Sequence, residues 1–194
     1  NKVGAQQFEK LGYPSSKHEM FTFVNIKSVA AGFVSATGTE VNKDQIAEFV
    51  YSGCEQSLVV LVDGQYQENL SDLSDLDNGV KLVSGEEALA DSKIREYLES
   101  SVQDENDTFA AINAAFCQDG LFLDIPAKAV MESPIQILAI SSGVNGENES
   151  SYPRVLVRVG DLAEAKIIVR CAGLKGNYFV NFVQDFLVGN GAGL

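Results

Sequence analysis

The spacing of apolar positions along this chain changes character at Asp119-Gly120. Before that point they recur mainly at helical intervals, and after it they arrive in short runs separated by Pro, Gly and Asn. "AQQFEKLGYP" predicts a short helix with Phe8 and Leu11 on one side, stopped by Gly12 and Pro14. A second helix begins where Asn42 can cap it and Gln45 stands three positions on, with Ile46, Phe49 and Val50 at i, i+3, i+4 as far as Gly53. "SLVVLVDG" then predicts a strand closed by an Asp63-Gly64 turn. In "DTFAAINAAF", Phe109, Ile112 and Phe116 share a helical face, and four alanines offer a surface on which another element packs closely.

From Leu121 onward helical periodicity disappears. The apolar groups form "LFLDI", "IQILAI", "RVLVRV", "AKIIVR" and "NYFVNFVQDFLV". Between these runs stand Pro126, Pro134, "SSGVNGENESS", Gly160-Asp161 and Gly173 to Gly176. Short strands at close, fairly even spacing, with no helical crossover between them, predict a β-sandwich, a barrel or a β-solenoid, and composition does not separate the three. The chain therefore divides into an α/β region over 1–106 and a helix with following strands over 107–194. The missing initial methionine, and an end at "LVGNGAGL" straight after a strand pattern, are read as signs of a longer chain truncated at 194. An open solenoid end would accommodate such a stop.

Composition narrows the function classes. With 194 residues, 45% of them hydrophobic, the chain has material for the core of one domain with at most a small appendage. A formal net charge of −13 repels phosphate backbones and anionic lipid, and no basic patch interrupts it. Nucleic acid and membrane surfaces are therefore not expected partners. Residues Glu68 to Asp107 carry twelve acids against three bases and read as a solvated face, with one helix turning Ile94, Tyr97, Leu98 and Val102 inward. No apolar run reaches the ~18 residues of a membrane span, and the first residues lack a signal-peptide pattern, so a soluble cytoplasmic protein is expected. Cys54, Cys117 and Cys171 form no CxxC and have no histidine beside them; each is expected to be a reduced, buried small hydrophobe.

Two stretches carry a resemblance. "YPSSKHEMFTFVNI" is similar to the N-terminal motif of the SufD branch of the SufB/SufD family of iron–sulfur cluster assembly proteins, with Pro14, Lys17, His18 and Glu19 in its positions. Phe21 and Phe23 replace the family's usual Trp and Tyr, which is expected to keep their packing role. "DTFAAINAAFCQDGLFLDIPAKAVMESPIQIL" resembles the family's run of a Phe-Ala-x-x-Asn-Ala helix, an Asp-Gly turn, a strand and a Pro-Ile strand. "PRVLVRVGDLAEAKIIVRCAG" and "YFVNFVQDFLVGNGAGL" resemble the repeated rungs that follow, so the likeness touches nearly the whole chain.

The resemblance implies an α/β N-terminal region packed on a right-handed parallel β-helix, a single-stranded solenoid. It also implies a non-catalytic scaffold subunit that works with a SufB-like homologous subunit and a SufC-like ABC ATPase. The family's ATPase-docking helices, and the histidine and cysteine positions tied to cluster formation, would fall beyond Leu194. No catalytic, cofactor-binding or metal-ligating residue carries over, and an iron–sulfur cluster is expected only at the level of the complex. A homodimer through the last rung stays open. The helix through Phe109, Ile112 and Phe116 is expected to cap the first coil, with Asp119-Gly120 turning the chain into the first rung and Pro126 and Pro134 at strand boundaries.

Sharper chemistry has weak support. His18, the only histidine, reads as a surface group and not a ligand. Asp72, Asp75 and Asp77 miss the spacing of a calcium loop and read as a solvated turn. "GNGAG" reads as a solenoid turn and not a phosphate loop. The sequons at Asn69, Asn106 and Asn148 mark loops rich in Asn and Ser. A carbohydrate-binding or carbohydrate-acting solenoid would need paired acids, and Asp124, Glu132 and Asp185 come singly. A purely structural interaction module would show the same pattern as an assembly factor.

Overall fold

The computed structural model describes residues 2–14, 19–21, 23, 25–26, 34–36, 40–76, 79–96, 107–143 and 148–194. In chain order they form helix α1 (Lys2–Leu11), strand β1 (Val34–Ser35), helix α2 (Lys43–Ile46), strands β2 (Leu58–Val62), β3 (Gln65–Tyr66) and β4 (Lys81–Ser84), and helices α3 (Gly85–Ala88) and α4 (Thr108–Phe116). Strands β5 (Gly120–Ile125), β6 (Ile135–Ser141), β7 (Asn148–Ser151), β8 (Arg154–Val159), β9 (Ile167–Gly173), β10 (Asn177–Val180) and β11 (Val183–Val188) follow.

The protein is strand-rich, and the late strands visit three sheets in a fixed rotation. One sheet has the order β11-β8-β5-β4, a second β3-β2-β6-β9, and a third β1-β7-β10. Every pair among β5, β8 and β11 is parallel, as are β2–β6–β9 and β1–β7–β10. The exceptions are β4 against β5 and β3 against β2, both antiparallel, which makes two of the sheets mixed. Each circuit lays its strands directly on the previous one: Gly120 lies beside Arg154, and Arg154 beside Val183.

Burial explains the apolar runs. β2 is buried at all its positions because it has a core on each side: Val59 and Leu61 face one cluster, Leu58, Val60 and Val62 the other. A strand buried on both faces reads as a continuous hydrophobic run and not as an alternation. The larger core joins Leu121, Leu123 and Ile125 to Val155, Val157 and Val159, with Ile135 and Ile137 opposite. Each such side chain contributes about 1.5–3 kcal/mol on burial.

The corners between circuits stack as closely as the strands. Val130 pairs with Glu164 and Glu164 with Gly193. The Lys128 N–H donates to the Asp161 carbonyl at 2.9 Å, and the Leu162 N–H to the Asn190 carbonyl at 3.0 Å. Lys128, Leu162 and Gly191, equivalent positions in three successive corners, all have positive φ (64°, 60° and 66°). A Cβ on Gly160 would collide with the Ala127 backbone, so only glycine permits this approach.

Several expectations hold locally. Asn42 and Gln45 form a reciprocal capping box at α2, although the helix passes into a 3-10 turn at Ala47–Phe49 and stops short of Gly53. Asp63 and Gly64 make the two-residue link of the β2–β3 hairpin, both with positive φ (51° and 87°). Pro126 and Pro134 flank strand ends. Among the inward residues expected of the acidic stretch, Ile94 is buried, while Tyr97, Leu98 and Val102 lie outside the described residues.

Others are corrected. "NYFVNFVQDFLV" is two strands in different sheets, broken at Asn181, whose buried amide bonds across the corner. The polar "SSGVNGENESS" holds a strand, β7, whose Glu149, Ser150 and Ser151 are buried between β1 and β10. Helix α4 does not close the first circuit. The free edges of β5 and β2 are covered by β4 and β3, while α4 bonds to two corners on the flank. Its buried face is Ala111, Ile112, Asn113 and Ala114, and Phe116 is 52% exposed. Phe21 packs on Phe109 at 5.5 Å between ring centroids, but Phe23 is fully exposed.

Candidate functional site

Two features stand out beside the core: a buried amide link between α4 and the stacked corners, and a cleft at the start of β5. The link begins with Asn113, fully buried because α4 presents it to the sheets. Its Nδ2 donates to the carbonyls of Pro153 (2.9 Å) and Asn181 (2.7 Å), and Asn181 Nδ2 donates to the Phe109 carbonyl at 2.7 Å. Two corners are thus tied to one helix, with the Pro153 carbonyl also accepting from the Val183 N–H at 3.1 Å. On its other side α4 meets α1, where a Cβ on Gly4 would stand 2.5 Å from the Ala115 nitrogen. The alanines of α4 do receive a close neighbour, as their spacing predicts.

The cleft encloses about 530 Å³ between α1, α3, the end of α4 and the first residues of β5. Ser84 caps α3 through the Glu87 N–H at 3.2 Å, which sets the start of α3 against the cleft, while α4 reaches it with its opposite, C-terminal end at Ala114. Arg154 lines the interior with both Nε and a terminal nitrogen on Asp185 Oδ2, at 3.0 and 2.8 Å. Cys117 and Asp119 complete the floor. Burial pushes the Cys117 thiol above its ordinary value; Arg154 pulls it down less strongly and Asp119 raises it further. It is therefore a neutral thiol at neutral pH, the opposite of an activated nucleophile. Burial also raises the Asp119 carboxyl.

The remaining sequence candidates are dispersed. Asp72 accepts from the Ser74 N–H (3.0 Å) and hydroxyl (2.6 Å), and those bonds hold its carboxyl below the usual range. It acts as a turn former beside Asp75, while Asp77, His18 and Asn106 lie outside the described residues. "GNGAG" forms the third stacked corner, with the Asn190 N–H donating to Asp161 at 2.8 Å. Asp124 is held by two nitrogens of Arg158 and Asp185 by Arg154, so these two acids are neutralised across strands; Glu132 is exposed. Among the described residues no three His, Cys, Asp or Glu side chains converge as metal ligands, and no helix is long and apolar enough to cross a membrane. Cys54 is buried as expected; Cys117 is half-buried, and Cys171 is exposed because β9 is the outermost strand of its sheet. Sequence reasoning missed the cleft because its lining comes from six separate elements, α1, β4, α3, α4, β5 and β8, none with a motif of its own.

Comparison with known proteins bears on what this architecture is. A model of the SufBD protein N-terminal region matches residues 2–137, from α1 through the first half-turn of the sheet rotation. A curated protein of Synechocystis sp. (strain ATCC 27184 / PCC 6803 / Kazusa), "Iron-sulfur cluster assembly SufBD family protein slr0076", is 25% identical over 194 residues, covering 94% of this chain and 42% of the relative. The chain thus spans less than half the length of that relative. Since the family model matches well over half of the chain and takes in the Asn113 helix and the hairpin-closed start of the sheets together, this chain belongs to the SufBD family.

Proposed function

We propose that this chain is a non-catalytic, SufD-like scaffold subunit of a cytoplasmic SUF complex that assembles iron–sulfur clusters, acting with a SufB-like homologous subunit and a SufC-like ABC ATPase. The observation that carries this reading is the family match over residues 2–137, supported by the relative named for iron–sulfur cluster assembly. The D branch is favoured by the Lys17-His18-Glu19 start and the Phe109-Ala110-x-x-Asn113-Ala114 helix. The rotation of strands through three parallel ladders, with corners stacked at Lys128, Leu162 and Gly191, supports reading β5 onward as the first rungs of a parallel β-helix. A right hand follows from the preference of crossovers between parallel strands. In this reading the chain holds no cofactor, and the cluster is cargo of the complex. The neutral Cys117 thiol and the ion-paired Asp124 and Asp185 support a role in shape and contact over one in bond-making.

The test is co-purification of the full-length protein from its own cells under reducing conditions, followed by mass determination of the intact complex. Recovery of an ABC-type ATPase with a second homologous subunit is the expected outcome. A protein that emerges alone, binding neither, overturns the reading.

A further inference from the structure

Among the described residues, the cleft at the start of β5 has one partly buried charge without an ion-pair partner. Of its four charged lining groups, Arg154 is engaged by Asp185 through two contacts. Glu86 and Arg95 are exposed and opposite in sign. The fourth, Asp119, is half-buried, and its carboxylate accepts no hydrogen bond and forms no ion pair among the described residues. A partly desolvated carboxylate in this position is costly until a cation meets it. Around it the walls are apolar, formed by Val3, Leu89, Leu121, Phe122 and Leu156. Leu89 is 41% exposed and carries the apolar wall out of the cleft onto the surface. A volume of about 530 Å³ exceeds a single side chain and falls in the range that ordinarily receives a ligand. Beyond the cleft the field is negative, since the chain carries −13 overall and Glu87 and Asp91 lie on the same segment as α3.

We propose that this cleft docks a segment of a protein partner that places an arginine or lysine on Asp119 and an adjacent large apolar side chain between Leu89, Phe122 and Leu156. The extension of the apolar wall onto the surface favours a polypeptide, which continues past the cleft, over a small amine enclosed within it. The inference goes beyond the iron–sulfur reading and is independent of it, because the cleft can be tested without any assembly partner.

Cys117 lies in the cleft wall and reports its occupancy. The experiment follows iodoacetamide modification of Cys117 by peptide mass mapping on the full-length protein. It compares N-acetylated, C-amidated Leu-Arg-Phe with Leu-Glu-Phe at equal millimolar concentration, with phenethylamine as a small cationic control. The Arg peptide is expected to slow Cys117 modification by about threefold or more while the Glu peptide does not, as near-millimolar binding at a single charge-matched site would give. Modification of Cys171, which lies outside the cleft, is expected to stay unchanged by either peptide. Asp119→Asn is expected to abolish the protection and Asp119→Glu to retain part of it. The ratio of rates with and without peptide is the readout, since Asp119 also shifts the intrinsic thiol. Equal protection by both peptides, no protection by either, protection that survives Asp119→Asn, or phenethylamine protecting as well as the peptide would each overturn the proposal. Should the iron–sulfur partners fail to co-purify while the Arg peptide still protects, the scaffold assignment falls and the docking cleft stands.

Discussion

Single residues in this protein do work that their neighbours in sequence do not announce. Asn113 is fully buried and donates two hydrogen bonds to carbonyls on separate corners. Asn113→Ala removes both donors and leaves the Asn181 carbonyl without its partner, while the Pro153 carbonyl keeps the Val183 N–H at 3.1 Å, so urea denaturation is expected to show a loss of about 1–3 kcal/mol. Asp119 has the opposite sign. Its carboxyl is raised in the folded state by burial, so its contribution favours the fold below the ordinary carboxylate range and is lost as pH rises through the raised value. Asp119→Asn is accordingly expected to raise the thermal midpoint at neutral pH and to leave it unchanged near pH ~3, where the native carboxyl is already protonated. Leu162 holds a left-handed conformation (φ 60°) while 58% exposed, so Leu162→Gly relieves strain with little packing lost. A gain of about 0.5–1 kcal/mol in the same denaturation series is expected.

At the scale of elements, the sheets are held in register by cross-strand pairs of unequal burial. Arg154 and Asp185 have side chains 13% and 16% exposed, against 43% and 19% for Arg158 and Asp124. Solvent screens the second pair more strongly, and Arg158 also rests over the Phe122 ring at 5.4 Å, which holds it without the carboxylate. A double-mutant cycle with alanine is expected to give a coupling of about 1–3 kcal/mol for Arg154 with Asp185 and below about 1 kcal/mol for Arg158 with Asp124. The same logic of unequal burial places α4. An apolar helical face was legible in Phe109, Ile112 and Phe116, but the face that turned inward holds Asn113, whose amide bonds to the corner carbonyls of Pro153 and Asn181, and it leaves Phe116 52% exposed.

For the whole molecule, order along the stack of circuits has a direction. β6 is buried at every position between β2 and β9, whereas β9, β10 and β11 are the outermost strands of their sheets. Within the 194 residues alone, hydrogen exchange is expected to be slowest in β6 and β8, which are paired along both edges, and faster in β9 to β11, which are paired along one. Uniform protection across all circuits would contradict this gradient.

The sequence by itself determined the local elements whose causes are local. Asn42 with Gln45, Gly12 after Leu11, Asp63-Gly64 and the prolines flanking β5 and β6 act within a few residues, and the structure has each where those residues put it. The change from helical spacing to short strands at Asp119-Gly120 was equally legible, and so was the family likeness carried by the helix and turn around it. What only the tertiary structure decided depends on residues far apart in the chain. β7 is a strand because β1 and β10 lie on either side of a polar segment with little strand character of its own. β3 and β4 cover edges that α4 was expected to cover, since an unpaired strand edge is satisfied by any backbone that reaches it. The cleft exists only where α1, β4, α3, α4, β5 and β8 converge, and the half-buried place of Asp119, without an ion pair among the described residues, is a property of that convergence and of no motif. Hydrogen-bonding edges, desolvation and the pairing of charges are set by the full three-dimensional surroundings, which is why these features were settled by packing.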